Sequence, residues 1–188
     1  MLIVEVGFEL NEKLDYYDKL LKNNGLENGF NCITHDIYFT CESLDGLSEN
    51  DIKQRCIRLR SVNDSDYKVQ NSFGAVNAKI VAKDNIPIFE NEMIAKGYRK
   101  VFDTKKKDHH YFKEGMGSKV QLQEIDDIGL LVYFDNEKYY KYDLEEQRRL
   151  LIDELNSYGF NLKYEYLGLD KLRTLYYNEK KYSLNQNG

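Results

Sequence analysis

Tryptophan is absent from these 188 residues, and proline occurs once, as Pro87. A chain so poor in proline has little to interrupt its strands, because proline lacks the amide donor that a sheet ladder uses. Cysteine is scarce too: Cys32, Cys41 and Cys56. The count is odd and no pair has the short gap of a zinc knuckle, which argues against a disulfide framework or cysteine-zinc site. Reduced, partly buried thiols are expected. No apolar run approaches the roughly 20 residues that span a bilayer. The N-terminus lacks the basic-then-apolar layout of a secretion signal, so the expected location is cytoplasmic, with no membrane partner. A basic excess is also missing: the formal net charge is −5, which argues against a general nucleic-acid binder. With no low-complexity linker and no fixed-period repeat, a single domain over residues 1–188 is expected.

What the chain does have is aromatic residues, 16 tyrosines and 9 phenylalanines, which suit long strands. The opening segment MLIVEVGFEL shows the pattern. Val4, Val6, Phe8 and Leu10 fall on one side of an extended strand, and Ile3, Glu5, Gly7 and Glu9 on the other. Two carboxylates and a bare glycine in line belong either to a face in water or to the lining of a polar cavity.

Further along, NEKLDYYDKLLKNNG reads as a helix, with Asn11 as cap, Leu14, Tyr17 and Leu21 at helical spacing and Gly25 as the stop. FNCITHDIYFT returns to period two, placing Thr34, Asp36 and Tyr38 opposite Ile33, Ile37 and Phe39. CESLDGLSEND is a loop or short helical turn. RCIRLRS is a strand with Arg58 and Arg60 on one face, YKVQNSF a weak strand, and GAVNAKIVAKDN another alternating segment. IPIFENEMIAKG is a helix with Pro87 near its start, an apolar stripe of Phe89, Met93 and Ile94, and Gly97 at its end. YRKVFDTKKKDHHYF, KVQLQEIDDIG and LLVYFD are strands. DLEEQRRLLIDELNSYGF is the strongest helix, with Leu144, Leu151 and Leu155 on its buried side. NLKYEYLGLDKLRTLYY closes with a strand or short helix. Short loops between successive strands imply antiparallel pairs. The expected fold class is α+β: a mostly antiparallel, closed or nearly closed β-barrel with flanking helices and a polar interior.

Strand parity gathers Arg58, Arg60, Lys79, Lys105, Lys107 and His109 as a basic set, and Glu5, Glu9, Asp36 and Asp135 as an acidic one. Two arginines at i and i+2 form a planar, multi-donor grip suited to phosphate oxygens. Carboxylates nearby would hold Mg²⁺ or Mn²⁺, bridging those oxygens. Taken singly, Arg-Leu-Arg and KKKDHH are most often solvated strand faces or edges, and His35, His109 and His110 lack zinc spacing. The joint pattern carries the reading.

In this order the motifs resemble the CYTH superfamily of triphosphate tunnel proteins, which includes class IV adenylate cyclases, thiamine triphosphatases and inorganic triphosphatases. IVEVG stands where the family opens with Glu-x-Glu-x-Lys, DIYF where it has Asp-x-Tyr, and RLR where it has Arg-x-Arg. KKK before Tyr111 stands at its Lys-x-Arg, and QLQEIDDIGLLVYFD, through Leu122, Ile125, Ile128 and Gly129, at its late segment ending in Glu-x-Glu. The helix ending Tyr158-Gly159-Phe160 also has a counterpart. The departures are Ile3 and Gly7 in the opening motif, Asn77 and Lys79 in a middle strand, and Gln123, Tyr133 and Asp135 in the late segment.

The resemblance implies a triphosphate-bearing small molecule bound in a charged tunnel by Arg58, Arg60, Lys79, Lys105 and Lys107. Glu5, Glu9 and Asp135 would hold Mg²⁺ or Mn²⁺, with Glu5 and Asp135 positioning a water for hydrolysis. An adenylate cyclase making cyclic AMP and pyrophosphate from ATP is the alternative within the enzymes. A non-catalytic phosphate-ligand module that has lost metal-holding carboxylates is the alternative outside them. Tyr139, Tyr140, Tyr142, Tyr176 and Tyr177 equally suit a partner surface, so a homodimer stays open.

Overall fold

The computed structural model describes residues 6–47, 49–71, 79–114, 118–126 and 128–163. Eight strands and four α-helices follow in the order β1 (Val6–Glu9), α1 (Leu14–Asn23), β2 (Glu27–Thr40), α2 (Glu49–Arg55), β3 (Ile57–Val62), β4 (Tyr67–Asn71), β5 (Ile80–Val81), α3 (Ile86–Ala95), β6 (Arg99–Phe112), β7 (Ser118–Ile125), β8 (Gly129–Asn136) and α4 (Leu144–Ser157). The strands form one antiparallel sheet in the order β1-β8-β7-β6-β2-β3-β4-β5. The class is therefore α+β. Barrel closure is not seen among the described residues: the ladder ends at β1 on one side and at the two-residue β5 on the other. The closing segment after residue 163, with Tyr176 and Tyr177, lies outside the described residues, as do Glu5 and Asn77. No described helix is long and apolar enough to cross a membrane.

The chain falls into two compact units. The first comprises Met1–Cys32, Lys107–Ile125 and Gly129–Leu169, the second chiefly Ile33–Lys106, so β2 and β6 each pass from one unit to the other. In the first unit, Val6, Phe8 and Leu10 bury one face of β1, as their alternation predicts. They join Val120 and Leu122 of β7, Val132 and Phe134 of β8, Tyr17 and Leu21 of α1 and Leu151, Ile152 and Leu155 of α4 in one core. α1 starts after Lys13 with no side-chain cap, so Asn11 does not cap it. α4 is capped by Asp143, which accepts from the Glu146 amide at 2.9 Å, a bond that satisfies one orphan donor of the first turn. Leu144 is 42% exposed rather than buried; it sits in the first turn, beyond the reach of the core face.

In the second unit, Ile37 and Phe39 of β2, Leu59 of β3, Tyr67 of β4 and Val81 of β5 pack under Phe89 and Met93 of α3. Each fully buried aliphatic chain such as Leu59 contributes about 2 kcal/mol. Pro87 lies in the first turn of α3, where its missing amide costs nothing. Ile94 is exposed, so the buried stripe is Phe89 and Met93 alone. A smaller core joins Tyr38, Leu44, Cys56, Val101 and Phe102 to Ile52 of α2. The three cysteines are free thiols: Cys56 buried, Cys32 half-buried and Cys41 exposed.

Candidate functional site

The antiparallel register of β2 and β3 sets Asp36 opposite Arg60 and Tyr38 opposite Arg58. That of β3 and β4 sets Arg58 opposite Gln70 and Arg60 opposite Lys68. Directly opposed residues share a face, so the face away from α3 carries Asp36, Tyr38, Arg58, Arg60, Lys68 and Gln70. The two arginines stand together on one side, as their spacing predicts.

Asp36 is the centre of this arrangement and is fully buried. Arg60 grips it with two parallel bonds, Nε to Oδ1 at 2.6 Å and Nη2 to Oδ2 at 2.7 Å. Lys106 Nζ donates to the same Oδ2, and this lysine is only 3% exposed. Burial alone would raise the Asp36 pKa, but the Arg60 hydrogen bonds and the Lys106 charge outweigh it and bring it down to about 2. Arg58 donates from Nε to Gln70 Oε1 at 2.9 Å. Tyr38, buried beside them, has its hydroxyl pushed up to about 12 by burial and by the Asp36 charge, against the pull of Arg58. Among the described residues, the β2–β3–β4 face thus holds Arg58, Arg60 and Lys68 with Asp36, and Lys106 of β6 reaches the same carboxylate.

Lys106, rather than its neighbours, supplies the buried ammonium. Lys105 and Lys107 are exposed, alternating with the buried Thr104, Lys106 and Asp108. Sequence reasoning missed Lys106 because DTKKKDHH is polar in both parities, so no apolar residue reveals which set turns inward. Lys79 goes elsewhere in the unit. Its ammonium lies 5.5 Å from the Phe89 ring centroid, and it lines a shallow cavity of about 210 Å³ with Ile80, Ile88 and Glu92 beside α3. His35, on the opposite side of β2 from Asp36, joins Tyr67 Oη at 2.5 Å to Asp103 Oδ1 at 2.6 Å.

The first unit has a polar face of another kind. Gly7 pairs with Tyr133, and Glu9 with Leu131. The Tyr133 ring lies so close to Gly7 that a Cβ there would stand 2.6 Å from Tyr133 Cε1. Only a residue without a side chain admits that ring. On β7, Lys119 pairs with Asp135, Gln121 with Tyr133 and Gln123 with Leu131. Gln121 Nε2 donates to Asp108 Oδ1 at 2.8 Å, and Gln123 Nε2 donates to the same oxygen. Asp108 is buried, and Cys32 Sγ lies 3.8 Å from its Oδ2. Burial raises the Asp135 pKa, with Lys119 pulling the other way. Glu9 is exposed. His109 turns to Glu124 at 3.0 Å, while His110 is buried under Phe30, their ring centroids 4.2 Å apart. Burial, then the Lys119 charge, lowers the His110 pKa.

These residues give a poor fit to a divalent cation. Among the described residues, no group of three or more His, Cys, Asp or Glu is arranged to hold one.

No family model and no curated protein matches the chain. Solved structures do. The PH1012 protein of Pyrococcus horikoshii OT3 superposes with a TM-score of 0.56 at 15% identity, over 87% of this chain and 93% of that one. A "putative adenylate cyclase" from Vibrio parahaemolyticus gives 0.51 at 16% identity, over 82% and 87%. Another from Bacillus halodurans gives 0.50 at 10%, over 88% and 95%. At such identities the likeness is one of fold: this chain has the fold of a group of solved structures that includes proteins described as adenylate cyclases.

Proposed function

We propose that this chain is a divergent CYTH-like protein that binds a triphosphate-bearing small molecule, with the closed tunnel of that superfamily as its finer architecture. The observation that carries the reading is the charge of the β2–β3–β4 face. Among the described residues it holds Arg58, Arg60 and Lys68 with Asp36, and the buried Lys106 of β6 donates to that same carboxylate. Partly desolvated cations in excess of carboxylate are costly until an anion joins them. Asp36 holds Arg60 and Lys106 in a fixed geometry, so their donors are positioned before a phosphate arrives. Lys105 and Lys107, exposed on the alternate face, add long-range attraction rather than contacts.

The test is calorimetric titration of the protein with tripolyphosphate, ATP and thiamine triphosphate. Binding weakened at least tenfold by Arg58→Ala and little by Lys105→Ala is the expected result. Absence of binding to all three would end the proposal.

The structural likeness to proteins described as adenylate cyclases favours one second reading, conversion of ATP to cyclic AMP and pyrophosphate. Chromatography of an ATP incubation with Mg²⁺ or Mn²⁺ decides it, because cyclic AMP is a different product from ADP and phosphate.

A further inference from the structure

The relatives suggested by the sequence motifs hold divalent cations with carboxylates, and here those positions would be Glu5, Glu9 and Asp135. Glu5 lies outside the described residues, but the other two are placed by the ladder. Glu9 is level with Leu131 on β8, and Asp135 is four residues further along that strand. At the rise of a strand, this separates the two backbones by about 13 Å. Two oxygens on one Mg²⁺ are no more than about 4 Å apart, since each bond is close to 2.1 Å, so both side chains would have to lie stretched toward each other along the strands to share an ion. The stretch between them is filled: it is where Gly7 faces Tyr133 and the tyrosine ring occupies the space of a side chain on β1.

The rest of that face is equally unsuited. Gln121 and Gln123 turn their amide nitrogens, which are donors, toward Asp108 Oδ1. A cation at that oxygen would displace both bonds and meet two N–H₂ groups carrying partial positive charge. Lys119 is set opposite Asp135 on the neighbouring strand, and its positive charge acts on the remaining carboxylate. The second unit, by contrast, supplies positive charge from its own side chains. On the β2–β3–β4 face, Arg58, Arg60 and Lys68 outnumber Asp36 among the described residues, so neutralising a polyanion there does not call for a metal.

We infer that this chain binds its polyphosphate ligand without any divalent cation. The inference rests on the anion-binding reading above and sharpens it. A metal-bound polyphosphate has already spent its most basic oxygens on Mg²⁺. The free polyanion offers all of them to guanidinium and ammonium donors.

The experiment is a titration of the full chain with tripolyphosphate, run once in EDTA and once with Mg²⁺ in excess over the ligand. Binding in EDTA as tight as, or tighter than, binding in Mg²⁺ is the expected result. Binding that appears only with Mg²⁺, or is tenfold tighter with it, overturns the inference while leaving the anion reading in place. No binding under either condition overturns both. A second measurement needs no ligand: the electron paramagnetic resonance signal of aqueous Mn²⁺ is expected to persist undiminished when the protein is added in excess. Loss of that signal in proportion to protein would show a metal site and overturn the inference.

Discussion

Two buried aspartates divide the molecule's polar chemistry between its two units. Asp36 in the second unit receives a guanidinium and an ammonium, from Arg60 and Lys106. Asp108 in the first receives two carboxamides, from Gln121 and Gln123. Both carboxylates are satisfied, but the consequences differ. Cationic partners cancel and then reverse the charge at the oxygen. Amide partners satisfy the oxygen without changing the charge, and the proposals of anion binding and metal-free binding rest on that contrast.

The largest expected effect comes from removing the ionic centre. Asp36→Ala strands Arg60 and Lys106 without their shared acceptor, and loss of one partner of a buried pair costs about 3–5 kcal/mol. Urea unfolding measures it; a loss under 1 kcal/mol would mean that water already serves these cations. Asp108→Asn, which keeps an oxygen for both amides, is expected to cost about 1 kcal/mol. Equal losses at the two sites would erase the contrast.

Next in size is the pH dependence. The Asp36 pKa falls from an ordinary 3.8 to about 2 on folding. A depressed carboxylate stabilises the native state fully above its unfolded pKa and loses that contribution as pH falls through the folded one. About 2 kcal/mol should therefore disappear between pH 4 and pH 2. The wild-type unfolding free energy is expected to steepen across that window, and Asp36→Asn to flatten it.

Gly7→Ala probes the first unit. The new methyl would stand 2.6 Å from Tyr133, so a loss of about 1–3 kcal/mol is expected from overpacking. In the Tyr133→Ala background the same change should cost little, and the double-mutant cycle reads the coupling. An additive result would show that the ring does not depend on the glycine. Smallest of all, Asp143→Ala removes the α4 cap and should lower the urea midpoint by an amount worth about 1 kcal/mol.

Much of this architecture is legible in the residues. The alternation of Val6, Phe8 and Leu10, the Arg58–Arg60 pair and the spans of α3 and α4 follow from local periodicity, because each repeat has apolar residues marking its inner side. Legibility fails where that marker is missing. In DTKKKDHH either parity is polar, so Lys105 and Lys107 are as plausible on paper as Lys106, and only the bond to Asp36 reveals which one turns inward. The place of Lys79 is hidden for a related reason. Its segment alternates convincingly, yet its ammonium settles over Phe89 beside α3. The Asn11 cap fails because α1 begins two residues later than the polar pattern suggests.

Chain chemistry alone establishes the class of this protein: alternating strands with a few amphipathic helices, and paired arginines on one strand. Those properties are local and follow from side-chain spacing. Pairing across the sheet settled everything that joins distant residues, namely Lys106 with Asp36, Gln121 and Gln123 with Asp108, and the Tyr133 ring over Gly7. Register is the reason: a shift of one residue would exchange every inner side chain for an outer one, and that choice is made by the packed sheet as a whole.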